Sequence, residues 1–228
     1  MKIILKADDF INNNLFFLYE LIEKYNFKVS IGIIGKKLEI ISPETKNRIL
    51  TLIKKKQIEL YNHSYWHYYE AREGIVWTEY VHTDLDYQTY SLQKTQVIVK
   101  KVFDITMTVF GAPYNSNDST LIDASKKTPE ITHIYYVFPS QIELWQKSQP
   151  NRTFIPINGL NLLEFRKPQE NNSQYINYDY FKQNFVSQPL ITYQLHPNAW
   201  SFFDWKEFER IIQFFIEQKI EFIFPTEL

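Results

Sequence analysis

The chain has 228 residues, 44% hydrophobic and 22% charged, with a formal net charge of −1. This is a globular composition, and the length suffices to bury a core, so residues 1–228 are read as one domain. The near-neutral charge argues against nucleic acid as a partner, since phosphate binding needs a concentrated basic surface, and the absence of cysteine excludes disulfides and thiolate metal ligands.

Strand and helix patterns alternate from the start. Lys2 to Ala7 is a short apolar run suited to a buried strand, and Leu15 to Tyr25 carries Phe17, Leu18, Leu21 and Ile22 at helical spacing. Val29 to Ile34 is β-branched and strand-like. Ser42-Pro43-Glu44 opens a helix that runs to Lys56, and its final lysines suit the negative end of the helix dipole. Ile58 to Tyr61 is a strand, followed by an aromatic and polar stretch from His63 to about Tyr87. Gln88 to Phe103 reads as helix, Thr106 to Phe110 as strand, Thr120 to Lys127 as helix and Thr132 to Phe138 as strand. Two further strands are expected at Thr153 to Ile157 and Asn161 to Phe165, then an Asn-rich loop from Glu170 to Gln174. The chain closes with helix Tyr178 to Val186, strand Leu190 to Leu195, helix Trp205 to Gln218 and strand Ile220 to Phe224. This alternation predicts an α/β fold with a parallel sheet and helices outside it. The number of repeats suits a barrel, in which chemistry gathers where strands end and loops begin.

Polar clusters follow the predicted strands. Asp8-Asp9 comes directly after the first one. Neighbouring strand residues point to opposite faces, so both carboxylates serve one site only if the chain leaves strand geometry there, in the segment from Phe10 to Asn14. One could then bind a metal while the other acts as a base; otherwise Asp9, or an Asn at 12 to 14, caps the next helix. His63-Ser64-Tyr65-Trp66-His67 follows the third strand, and histidines four apart can face one side of a helical turn and share an ion. The competing reading is two loop histidines among aromatics. His196-Pro197 ends a later strand, because Pro197 cannot continue the ladder.

Taken in order, these segments resemble the motifs of the polysaccharide deacetylase family (carbohydrate esterase family 4). Lys6-Ala7-Asp8-Asp9-Phe10 is similar to its acidic first motif, and His63-Ser64-Tyr65-Trp66-His67 matches its second in full. Gly111-Ala112-Pro113-Tyr114 aligns with its Arg-x-Pro-Tyr/Trp motif, and Gln194-Leu195-His196 with its last, a Leu-x-His strand end. The resemblance implies a distorted (β/α) barrel of seven strands acting on an N-acetylated sugar or glycan. It implies Asp9, His63 and His67 as metal ligands, Asp8 as general base, His196 as general acid, and the Tyr114 N–H as an oxyanion donor. Zinc is the default for such donors, with cobalt, nickel or iron(II) also suited.

The chain departs from the family where Gly111 replaces the arginine that normally pairs with an acidic residue and orients the base. Arg166, just after the predicted strand Asn161 to Phe165, could supply that charge, with Glu164 on the same strand face; the competing reading is a surface arginine. Pro113, Asn115 and Trp200 are further candidates for contact with sugar; Asn115 could equally help cap the next helix, and Trp200 could simply be core. The missing arginine also motivates a second reading, a weakly active or inactive glycan-binding protein that retains the cleft. A third is another metal-dependent hydrolase of C–N or ester bonds. The expected setting is cytoplasmic, because no stretch approaches the length of a membrane span and the N-terminal apolar run is too short for a signal peptide. The oligomeric state, the sugar and the native metal are not legible in the sequence.

Overall fold

The computed structural model describes residues 1–9, 15–137, 139–166 and 174–228, with the backbone alone at 139–141, 165–166 and 174. The first elements are β1 (Lys2–Ala7), α1 (Phe16–Tyr25), β2 (Val29–Ile33), α2 (Pro43–Lys54) and β3 (Ile58–Asn62). There follow β4 (Tyr69–Arg72), β5 (Ile75–Thr78), α3 (Leu85–Phe103), β6 (Val109–Phe110), α4 (Thr120–Lys126) and β7 (His133–Tyr136). Next come α5 (Pro139–Ser148), β8 (Thr153–Pro156), β9 (Phe165–Arg166) and β10 (Gln174–Tyr175). The chain ends with α6 (Tyr178–Asn184), β11 (Leu190–Leu195), α7 (Phe202–Glu217) and β12 (Glu221–Phe222). Among the described residues, no helix is long and apolar enough to cross a membrane.

Seven strands follow one another in the order β11, β1, β2, β3, β6, β7, β8, and β12 also pairs with β1. The pairings of β1 with β11, β12 and β2, and of β6 with β3 and β7, are parallel. So is that of β7 with β8. The chain divides into two compact units, residues 1–31, 51–59 and 157–228, and residues 32–50 and 60–156.

In the first unit, β1 and β11 run in register from Lys2↔Leu190 to Ala7↔Leu195. Their C-terminal ends therefore coincide, and the Asp8 N–H continues the pairing by donating to the Leu195 carbonyl at 2.8 Å. Helix α7 packs Trp205, Phe208, Ile211, Ile212 and Phe215 inward at helical spacing. It begins at Phe202, earlier than the hydrophobic pattern suggests. Ser201 and Asp204 form a capping box that satisfies the first-turn donors. The predicted strand from Asn161 to Phe165 is not formed. Asn161 takes φ 60°, and the Leu162 N–H closes a turn on the Gly159 carbonyl at 3.2 Å. Only Phe165 enters a strand, the short β9, antiparallel to β10.

In the second unit, a core of Tyr80, Leu92, Phe110, Leu121, Ile131, Ile134 and Trp145 joins α3, α4 and α5 to the sheet. The stretch from His63 to Tyr87, unassigned from sequence, contains the antiparallel β4–β5 hairpin. Its two-residue loop is Glu73-Gly74, with φ 51° and 79°, the signature of a type I′ turn. The predicted strand at Thr106 to Phe110 contracts to β6.

Candidate active site

The first unit carries the acid pair. Lys6 and Asp8 sit two residues apart, so their side chains share a face. Both are buried, and Lys6 Nζ grips both carboxylate oxygens of Asp8 while reaching Gln194 Oε1 at 3.3 Å. Asp8 thus has a buried cation, Lys6, beside it from the same strand. Burial disfavours the ammonium and pulls the Lys6 pKa below its ordinary value, although the adjacent Asp8 works in the other direction. Asp9 adopts φ 57°, in the left-handed region, so strand geometry ends within the acid pair. The N-cap position of α1 is Leu15, not Asp9. Phe10 and the Asn12–Asn14 caps considered from sequence lie outside the described residues. So does the Arg166 side chain.

His196 follows β11 and is held by Glu164. The Glu164 carboxylate accepts from His196 Nδ1 at 2.8 Å, from the His196 backbone N–H at 2.5 Å and from Trp200 Nε1 at 2.6 Å. With Nδ1–H committed to Glu164, Nε2 lies toward Asp8, 4.0 Å from its Oδ2. Burial opposes a charged ring. The hydrogen bond and charge of Glu164, with the charges of Asp8 and Asp9, outweigh it and raise the His196 pKa. Trp200 is buried, packed on Trp205 and Phe208 with ring centroids 4.6 and 4.8 Å away.

The second unit carries the histidine pair. His63 extends β3, its N–H donating to the Ile33 carbonyl at 3.0 Å. Its Nδ1 lies 2.6 Å from the Gly111 carbonyl, which can only accept; Nδ1 therefore carries the proton and Nε2 presents its lone pair. The two histidines are not on a helical turn. Ser64 and His67 both take positive φ, 79° and 57°, and the resulting loop still brings the His63 and His67 rings to 5.2 Å between centroids. Glu79 holds that loop. This fully buried carboxylate accepts backbone N–H groups of Tyr65, Trp66, His67 and Tyr68 at 2.6–3.3 Å, and the hydroxyl of Ser91. Pro113, Tyr114 and Asn115 form a 3-10 turn in which Tyr114 and Asn115 have φ 57° and 54°. The Tyr114 ring lies 4.6 Å from that of His67.

Three residues that organise these groups escape a reading by motif. Lys6 is the one with a visible signal, a single charge inside an apolar strand. Glu164 draws notice in the sequence only as a neighbour of Arg166. Glu79 is remote from the histidines it serves and leaves no local pattern.

Comparison with known proteins shows the fold and the family. The chain shares the fold of a family 4 acetyl xylan esterase from Clostridium thermocellum solved with a cobalt ion. The TM-score is 0.63 at 16% identity, over 100% of this chain and 89% of that one. A peptidoglycan deacetylase from Bacillus subtilis gives 0.60 at 16% identity, over 96% and 85%. A family 4 pseudoenzyme from Bacillus anthracis gives 0.63 at 14% identity, over 97% and 62%. The fold is therefore the mostly parallel, seven-stranded (β/α) barrel type of carbohydrate esterase family 4. Residues 2–130, a span that includes the acid pair, the histidine pair and Pro113-Tyr114, match the model of the polysaccharide deacetylase family, and the chain belongs to that family. No curated protein sequence matches it.

Proposed function

We propose that this protein is a metal-dependent hydrolase that removes an acetyl group from an N-acetylated sugar or glycan. The observation that carries the reading is the histidine pair: two adjacent rings, one with its tautomer fixed so that Nε2 can ligate. In this reading Asp9 joins His63 and His67 as the third ligand. One carboxylate and two imidazoles suit zinc, cobalt, nickel or iron(II), and three protein ligands are typical of catalytic rather than structural sites. A divalent cation in this donor set supplies the chemistry amide hydrolysis requires, lowering the pKa of a water molecule and polarising the acetyl carbonyl.

The side chains divide the remaining work. Asp8 takes a proton from the attacking water, and Lys6 orients the Asp8 carboxylate. The Tyr114 N–H donates to the carbonyl oxygen as it gains charge. His196 gives a proton from Nε2 to the departing nitrogen, with Glu164 fixing the ring and favouring its protonated form. The substitution of Gly111 for arginine, which motivates an inactive binding protein, loses force because Lys6 already pairs with Asp8. The absence of cysteine suits a cytoplasmic setting as part of the same reading.

The test is metal content. The chain is expected to take up one divalent ion, and His63→Ala and Asp9→Ala to lose it without unfolding. Full metal content in either variant would refute the ligand assignment.

A further inference from the structure

Strand register brings four polar side chains together in the first unit. Lys6 of β1 lies opposite Gln194 of β11 in the parallel pairing. Residues two apart on a strand share a face, so Lys6 and Asp8 stand beside Gln194 and His196. Lys6 Nζ holds both oxygens of Asp8 and lies 3.3 Å from Gln194 Oε1. At the other end of the same amide, Gln194 Nε2 lies 3.3 Å from His196 Nε2. The separation of 4.0 Å from His196 Nε2 to Asp8 Oδ2 closes the square. Gln194 is buried with both ends of its amide engaged. It stands where the last family motif carries leucine, so this link is a departure of the present chain.

The direction of each contact follows from donor and acceptor chemistry. An ammonium only donates, so the amide atom facing Lys6 is the carbonyl oxygen, and the NH2 faces His196. The amide nitrogen also only donates, so the Nε2 it faces must accept. Nδ1 gives its hydrogen to Glu164 at 2.8 Å. Gln194 therefore favours the ring whose lone pair is at Nε2. A proton on Nε2 meets a donor in Gln194, and the Asp8 oxygen at 4.0 Å is beyond hydrogen-bond reach. The negative charges of Glu164, and of Asp8 and Asp9 after β1, work in the other direction and favour the protonated ring.

We propose that Gln194 is a positioning residue, held by Lys6 with its NH2 toward His196, that makes His196 release its proton more readily to the departing nitrogen. The inference rests on the deacetylase reading for the role of His196. Glu164 loads the ring with a proton, and Gln194 keeps that proton from being held too firmly.

The experiment is an NMR titration of the His196 ring in the full chain without added metal, with its resonances assigned by their loss in His196→Gln. Gln194→Leu is expected to raise the titration midpoint by roughly 0.5–1 pH unit, the worth of one neutral hydrogen bond. Gln194→Glu, whose carboxylate accepts from Nε2–H, is expected to raise it further. A purely structural role would act with the opposite sign, because leucine adds apolar burial, which disfavours the charged ring. If the leucine variant misfolds, Gln194→Met takes its place. An unchanged or lower midpoint in either substitution overturns the proposal. In the metal-loaded chain, the alkaline limb of the pH–activity profile should move upward in Gln194→Leu. A failure to release acetate from N-acetylated sugars would instead count against the deacetylase reading and leave the titration result standing.

Discussion

Replacing Glu164 with Gln isolates the charge that governs His196. The wild-type carboxylate is 3% exposed and accepts from the ring, the backbone N–H and the Trp200 indole. Glutamine keeps the shape but has one acceptor oxygen and one donor amide. If its oxygen serves Trp200 and the backbone, its NH2 faces Nδ1, which must then accept, and an imidazolium no longer fits. The loss is one charge-assisted hydrogen bond, about 1.5–3 kcal/mol. His196 has its folded pKa raised above the ordinary value, so its contribution to stability is fully present below about pH 6.5 and fades as pH rises through the raised value. Urea unfolding of the metal-free chain should therefore show the variant destabilised by the full amount near pH 5.5 and by clearly less near pH 9. The alkaline limb of the pH–activity profile should also move to lower pH in the variant. An equal loss of stability at both pH values would refute the charge pairing of Glu164 with His196.

Three other substitutions test the supports of the site. Lys6→Met leaves the buried Asp8 carboxylate without its cation, so unfolding free energy should fall by about 3–5 kcal/mol and turnover should drop with it; a near-neutral result would remove Lys6 from the machinery. Glu79→Gln cannot accept the same set of loop donors, and chelator competition should show metal affinity reduced about 10- to 100-fold while far-UV dichroism is unchanged. Gly32→Ala places a Cβ about 2.4 Å from the Tyr61 hydroxyl. Thermal unfolding should report a cost of about 1–3 kcal/mol from the overpacked contact.

The alternating elements of the sheet were legible because buried parallel strands read as apolar runs and their helices carry clear periodicity. Lys2 to Ala7 and Leu190 to Leu195 match the observed strands β1 and β11 residue for residue. Elements set by turns and caps were less visible. The β4–β5 hairpin depends on Glu73-Gly74, a weaker turn signal than Asn-Gly. The turn at Asn161 replaces an expected strand because a left-handed backbone leaves no mark in hydrophobicity. The candidate site shows the same division. Asp8, Asp9, His63 and His196 follow strand ends, and His67 completes a motif with His63, whereas Glu79 and Glu164 reach their partners through tertiary structure. Lys6 was readable in principle, as a charge that a buried strand tolerates only beside a counter-charge.

The central claim is metal-dependent removal of acetyl from an N-acetylated glycan. Its most direct test is acetate release from N-acetylglucosamine oligomers by the zinc- or cobalt-loaded chain, compared with the same chain after chelation. The account predicts release by the loaded chain, loss on chelation, and recovery when metal is restored. A chain that binds metal and glycan yet releases no acetate with any of these ions would contradict it.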